Sequence, residues 1–281
     1  MGGTLTSTTL RGKHKEEIMM QEYRTKELYA DFYENEGKPL VVIIGGSRPG
    51  LPAPLNKDFL ERLKKDFQVL LLAYFGAGDL PESLECLPME YFVNAVSAIK
   101  QEYGIGDREV IVIGQSKGGE AALLLTNYMK SAVTIALVPS CYAFQGLPAE
   151  FTLESFTNRK SSWSFQGKEL PYIKFYFDQE IVKEIMAGNY CTCYEASIEK
   201  NGNEDALIRV DGYTGKILLI SEENDRYWPS RAMSEQLVKR SGNRENMRHI
   251  SMKLDGHYLM NYEESAGEIV KYLEEYLAGK R

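Results

Sequence analysis

The sequence predicts an α/β protein: a mostly parallel central sheet with flanking helices and an aromatic-rich cap insertion. Three observations carry that expectation. Short apolar runs alternate with amphipathic stretches along most of the 281 residues, as parallel strands joined by crossover helices do. One run, Val110–Ile113, ends in Gly114-Gln115-Ser116-Lys117-Gly118 and leads straight into a helix-forming stretch from Glu120, the strand-turn-helix setting of a nucleophile elbow. The alternation is then interrupted by Tyr142–Phe177, where 10 of 36 residues are aromatic against 11% for the whole chain.

Residues 22–34 alternate polar with aromatic or apolar side chains, as a half-buried early strand or hairpin does. Pro39–Ile44 reads as the first fully buried strand, Asn56–Lys65 as an amphipathic helix, Phe67–Ala73 as a buried strand and Met89–Tyr103 as a second helix. Glu109–Ile113 feeds the elbow, whose helix is expected to run to about Met129, and Val133–Val138 is the next strand. After a long irregular stretch the order resumes with strand Lys216–Ser221, helix Ser230–Lys239, strand Arg248–Leu254 and a closing helix Tyr262–Leu277. Together these form one domain over residues 1–281, with 1–38 as an N-terminal strand or hairpin region and 140–180 as a cap-like insertion.

A hydrophobic content of 43% with 26% charge is that of a soluble globular chain. The longest apolar run, Val69–Phe75, is far too short to span a bilayer. No secretory signal is visible at the N-terminus. Gly2 does fit the loose N-myristoylation pattern, although one acyl chain anchors weakly. A net charge of −7 without a basic block argues against a nucleic-acid partner. Cys86, Cys141, Cys191 and Cys193 lack zinc-ligand spacing. They read as reduced thiols of a cytoplasmic protein, with Cys141 in the core.

The chemistry expected of the elbow follows from its tight turn. Side chains two residues before and after the serine would collide with their surroundings, and Gly114 and Gly118 remove that collision. Ser116 is then presented at a helix N-terminus, where amides favour developing negative charge. A serine nucleophile needs a base, and the base needs an orienting acid. The chain has three histidines. His14 lies in a charged N-terminal stretch, and His249 sits mid-strand on the face opposite Ile250, Met252 and Leu254. His257 follows the carboxyl end of that strand, behind Gly256, and is the expected base. Glu222, Glu223 and Asp225 follow the strand Lys216–Ser221. Asp225 is the expected acid, in a turn fixed by Trp228-Pro229-Ser230, with Glu222 as its main rival. Ser116, Asp225, His257 is the chain order of α/β hydrolases.

An oxyanion hole takes one amide from the residue after the nucleophile, Lys117, and one from the loop after an earlier strand. Gly45-Gly46-Ser47-Arg48-Pro49-Gly50 supplies that loop, with Ser47 as the donor. Its spacing is not G-x-G-x-x-G, and no Gly-Lys-Ser/Thr follows, so neither a dinucleotide fingerprint nor a P-loop is present. Gly46, Trp163 and Trp228 are expected to contact substrate, Trp163 as the largest apolar surface of an acyl pocket.

The segments Gly45–Ser47, Leu80–Phe92, Gly114–Glu120, Ser162–Pro171, Ile220–Ser230 and Gly256-His257 resemble the C-terminal catalytic domain shared by acyl-CoA thioester hydrolases and bile acid-CoA:amino acid N-acyltransferase. That family lies within the α/β hydrolases, close to dienelactone hydrolases, and the resemblance runs from about Val41 to Leu277. It implies the α/β hydrolase fold and a triad of Ser116, Asp225 and His257. Members that transfer the acyl group to an amino acid carry cysteine at the nucleophile position and hydrolytic members serine, so by this resemblance Ser116 favours water as acceptor. Longer members carry an N-terminal β-sandwich domain, and about 40 residues precede the first core strand here. The expected function is a serine hydrolase of a small-molecule acyl thioester or ester, with no metal or organic cofactor. The alternatives are a carboxylesterase or dienelactone hydrolase-like enzyme on small esters, an acyltransferase, and a ligand-binding protein that keeps the pocket without turnover.

Overall fold

Eight strands form the central sheet of the computed structural model, which describes residues 19–52, 55–150, 152, 159–242 and 244–279. His14 and the Gly2 pattern lie outside the described residues. The 22–34 region is a hairpin, β1 (Met20–Arg24) pairing antiparallel with β2 (Tyr29–Tyr33). The strands β3 (Leu40–Ile44), β4 (Gln68–Leu72), β6 (Val110–Gln115), β7 (Val133–Leu137), β10 (Lys216–Glu222) and β11 (Met247–Met252) complete the sheet. The spatial order is β1-β2-β4-β3-β6-β7-β10-β11, parallel from β4 onward. A small second sheet joins β5 (Leu87–Pro88), β8 (Trp163–Phe165) and β9 (Lys168–Glu169).

The apolar runs work as two alternating sets, because successive strand side chains point to opposite faces. Val41, Ile43, Ile111, Ile113, Leu218 and Ile220 pack on one face beneath α1 (Lys57–Asp66) and α7 (Glu263–Ala278). Leu40, Val42, Ile44, Val110, Val112 and Leu219 pack on the other with α2 (Met89–Tyr103), α3 (Lys117–Leu125) and α6 (Ser230–Arg240). Both faces being covered is why these strands read as continuous apolar runs.

Two boundaries differ from the sequence expectation for visible reasons. The elbow helix stops at Leu125, where Thr126 Oγ1 donates to the Leu123 carbonyl (2.6 Å) and competes with the backbone ladder. β11 ends at Met252 because the Leu254 amide donates to Glu222 Oε2 (2.8 Å). Two short helices, α4 (Gln179–Met186, N-capped by Asp178) and α5 (Cys191–Asn201), occupy part of the stretch expected to be irregular. The chain moves from β3 outward to β4 and then back past β3 to β6. Carboxyl ends of strands at such a reversal form the crevice where open α/β sheets place ligands. β3 ends there in Gly45-Gly46-Ser47 and β6 in the elbow.

Candidate active site

Ser116 sits on a strained backbone, φ 58° and ψ −121°. The turn closes because two side chains are missing. A Cβ on Gly114 would lie 2.0 Å from the Gly118 carbonyl oxygen, and one on Gly118 would lie 2.1 Å from that of Gly45. The second contact means that the elbow and the β3 loop touch backbone to backbone. Ser116 Oγ makes no capping bond to α3.

That hydroxyl meets His257 Nε2 at 2.8 Å, and His257 Nδ1 lies 2.9 and 3.0 Å from the two oxygens of Asp225. An ionised carboxylate only accepts, so Nδ1 carries the ring proton and Nε2 is left to accept from the serine. Asp225 Oδ1 also accepts the Tyr227 amide at 2.9 Å. His257 is 5% exposed and Asp225 8%, so the relay is nearly shut off from water.

The loops that carry Asp225 and His257 are laced together. Glu222, the rival acid, does not serve the imidazole. Its buried carboxylate accepts the amides of Leu254 (2.8 Å) and Asn224 (3.2 Å) and so fastens the β11 exit to the β10 exit. Glu223 is exposed and pairs with Arg231. His249 stays mid-strand, 2.8 Å from Ser221 Oγ. Burial lowers its pKa from the ordinary 6.5.

Ser47 and Lys117 both line the cavity that contains Ser116 and His257. Gly46 lies close enough that a Cβ there would stand 3.1 Å from Ser116 Cβ. The Tyr74 hydroxyl donates to the carbonyls of Gly46 (2.6 Å) and Gly45 (3.2 Å), which holds this loop against the elbow. The Lys117 side chain turns inward. Its buried ammonium donates to Glu120 (3.1 Å) and to Ser162 Oγ (2.8 Å). Burial pushes the Lys117 pKa down and the Glu120 pKa up, while their mutual attraction opposes both shifts.

Trp163 does not sit where the sequence suggested. It is fully buried, donates from Nε1 to Glu120 Oε1 at 2.6 Å, and packs on Tyr74 and Phe92 rather than lining the cavity. An indole N–H out of water needs an acceptor, and Glu120 supplies it. Trp228 does line the cavity, edge-on to His257, with Nε1 donating to the Val138 carbonyl at 2.8 Å.

The cavity has a volume of about 610 Å³, within the usual range for small-molecule sites. Its apolar walls include Leu147, Phe175 and Phe177 from the aromatic-rich stretch, and Val182, Ile185, Met186 and Tyr194 beyond it, none of which was named individually as a pocket residue from sequence. The signal available was Asp178 ahead of Ile181, Val182, Ile185 and Met186, a capped amphipathic turn whose apolar face needs a partner. Among the described residues no His, Cys, Asp and Glu side chains gather as a metal site. None of the described helices is long and apolar enough to cross a membrane.

The model of the family "BAAT / Acyl-CoA thioester hydrolase C terminal" matches residues 87–261, a span that includes the elbow, Asp225 and His257. The chain belongs to this family. Mouse acyl-coenzyme A thioesterase 2, mitochondrial, is 24% identical over 197 residues, covering 69% of this chain and 40% of that one. Mouse acyl-coenzyme A amino acid N-acyltransferase 1 is 25% identical over 174 residues, covering 62% and 37%. The chain thus spans about two-fifths of the length of these relatives. Among solved structures, the Pyrococcus furiosus esterase Pf2001 superposes with a TM-score of 0.58 at 14% identity, covering 92% of each chain. The 2-hydroxy-6-oxo-6-phenylhexa-2,4-dienoate hydrolase of Rhodococcus gives 0.57 at 16%, covering 93% of this chain and 100% of that one. The architecture of this BAAT/acyl-CoA thioester hydrolase family member is the α/β hydrolase fold.

Proposed function

We propose that this chain hydrolyses acyl thioesters or carboxylic esters through an acyl-enzyme on Ser116. The observation that carries the reading is the unbroken Ser116–His257–Asp225 chain of hydrogen bonds opening into an apolar cavity. The family match and the relatives named as acyl-coenzyme A thioesterases support an acyl thioester as the substrate class.

In the first half-reaction His257 Nε2 takes the hydroxyl proton as Ser116 Oγ bonds to the carbonyl carbon. The C=O pair moves onto oxygen, and the amides of Ser47 and Lys117 hold the resulting oxyanion. Collapse expels the thiol or alcohol, which leaves with the proton from His257. Water then attacks the acyl-serine, His257 accepts its proton, and collapse frees the carboxylic acid and restores Ser116. Asp225 holds the ring tautomer and offsets the imidazolium charge throughout.

Cysteine chemistry does not compete well. Burial pushes the thiols of Cys141 and Cys191 up to about 12 and that of Cys193 up to about 11, which keeps them protonated and weakly nucleophilic at neutral pH. The test is a paired labelling experiment. A fluorophosphonate should label Ser116 and stop turnover of acyl esters, whereas iodoacetamide at pH 7.5 should leave turnover largely intact. Ser116→Ala should retain its fold and lose at least about a thousandfold in rate. Near-wild-type turnover by that variant would refute the mechanism.

A further inference from the structure

We infer that the mouth of the cavity carries a leaving-group subsite for planar aromatic groups, formed by Tyr190, Tyr227 and Tyr258. The inference rests on the acyl-hydrolase reading above. Seven large apolar side chains are exposed among the described residues. Met19 and Met20 are two of these. Of the other five, Val182, Met186, Tyr190 and Tyr227 line the cavity that holds Ser116. The fifth, Tyr258, packs edge-on against Tyr227 and His257 at 5.8 and 5.7 Å. Solvent-facing apolar surface is therefore concentrated at one place, the entrance to the nucleophile.

The three tyrosines form an ordered group built onto the base. The Tyr227 ring stacks on the His257 imidazole, 4.4 Å between centroids and 24° between planes. Tyr190 stacks on Tyr227 at 5.4 Å and 19°. Backbone bonds fix the arrangement. The amides of Tyr190 (2.7 Å) and Cys191 (3.0 Å) both donate to the Arg226 carbonyl, fastening the start of α5 to the turn that bears Tyr227. Asp225 holds the Tyr227 amide. Each tyrosine is 39% exposed, so ring surface remains open to a ligand.

Position assigns this surface to the leaving group. His257 Nε2 hands its proton to the departing atom, which must lie within hydrogen-bond reach of that nitrogen. Whatever is attached to that atom emerges beside the imidazole, where the tyrosine rings begin. The acyl part has the buried end of the cavity, with Phe175 6% and Cys193 4% exposed. Rigid aromatic rings gain most from a flat aromatic partner, which stacks or meets them edge-on, and less from a puckered ring of the same size.

Benzyl and cyclohexylmethyl esters of one fatty acid test this, since the two alcohols are similar in size and differ in planarity. The benzyl preference is read after division by the same ratio in uncatalysed alkaline hydrolysis. Wild type should hydrolyse the benzyl ester with a specificity constant about two- to tenfold higher. Tyr190→Leu or Tyr258→Leu should reduce that ratio toward one, and Tyr190→Phe should keep it. Fluorophosphonate labelling of Ser116 in each variant shows that the site is assembled. A wild-type ratio of one with Ser116 labelled, or a ratio unchanged in both leucine variants, overturns the subsite and leaves the hydrolase reading standing. No turnover of either ester and no label on Ser116 would overturn both.

Discussion

Glu120 is the residue on which the elbow and the insertion depend together. Its buried carboxylate accepts from Lys117 Nζ, Trp163 Nε1 and the Phe144 amide, so one side chain on α3 anchors two separate points of the chain beyond β7. Such a pair is a weak source of net stability, yet removing one member leaves a buried charge without compensation. Glu120→Leu should therefore cost about 3–5 kcal/mol in a urea titration, and adding Lys117→Met should recover part of that loss. Trp163→Phe keeps an aromatic ring but removes the N–H and part of the indole's volume, and should cost at least about 1–3 kcal/mol. Because Trp163 lies outside the cavity, the same variant should leave acyl-chain preference unchanged. A changed chain-length profile in folded Trp163→Phe would mean that the insertion moves with its anchor. Glu120 and Trp163 lie 43 positions apart. Sequence shows the size of an indole but not the acceptor for its N–H, which is why Trp163 reads there as pocket wall.

Under the proposed function, helix α4 is the element expected to set acyl-chain selectivity. Val182, Ile185 and Met186 line the cavity, while Met186 is 85% exposed, so α4 is a thin wall with solvent close behind it. Each buried methylene contributes about 0.8 kcal/mol, roughly a fourfold rise in specificity constant per carbon until the space is full. Ile185→Trp adds bulk to that wall and should bring the plateau forward by a few carbons in a series of straight-chain acyl esters. An unshifted plateau would place the acyl chain along another wall. The sheet strands were legible because two-sided burial makes them continuous apolar runs, as in Val41–Ile44 and Leu218–Ile220. Helix α4 left only the faint signal of its Asp178 cap. Its eight residues carry an apolar face too short to stand out from the aromatic stretch before it, and which face meets the cavity is decided by packing.

Across the whole molecule, the sheet brings together groups that lie far apart in the chain. Ser116 and His257 are separated by 141 positions, yet their order was readable because each follows the carboxyl end of an apolar run. The second layer of ties was not readable from sequence, since those bonds link side chains to backbone amides of distant loops. Gln115, the last residue of β6, shows the difference. Its buried Oε1 accepts the Met260 amide at 2.8 Å, while the Met260 carbonyl accepts from the Asn56 amide at 3.1 Å. The segment just after His257 is therefore tied to the strand that leads into Ser116 and to the start of α1. Gln115→Leu fills similar space and leaves the Met260 amide without its acceptor, at a cost of about 1–3 kcal/mol. Because that amide lies three residues from His257, the loss should appear mainly as a several-fold lower kcat, with KM little changed and a slower reaction of Ser116 with fluorophosphonate. Gln115→Glu, which keeps an acceptor, should retain more of the rate than Gln115→Leu. If the leucine variant loses stability but keeps wild-type kcat, the base is held instead by the Glu222 lacing at the β11 exit and by Gly256, where a Cβ would sit 2.1 Å from the Tyr262 hydroxyl.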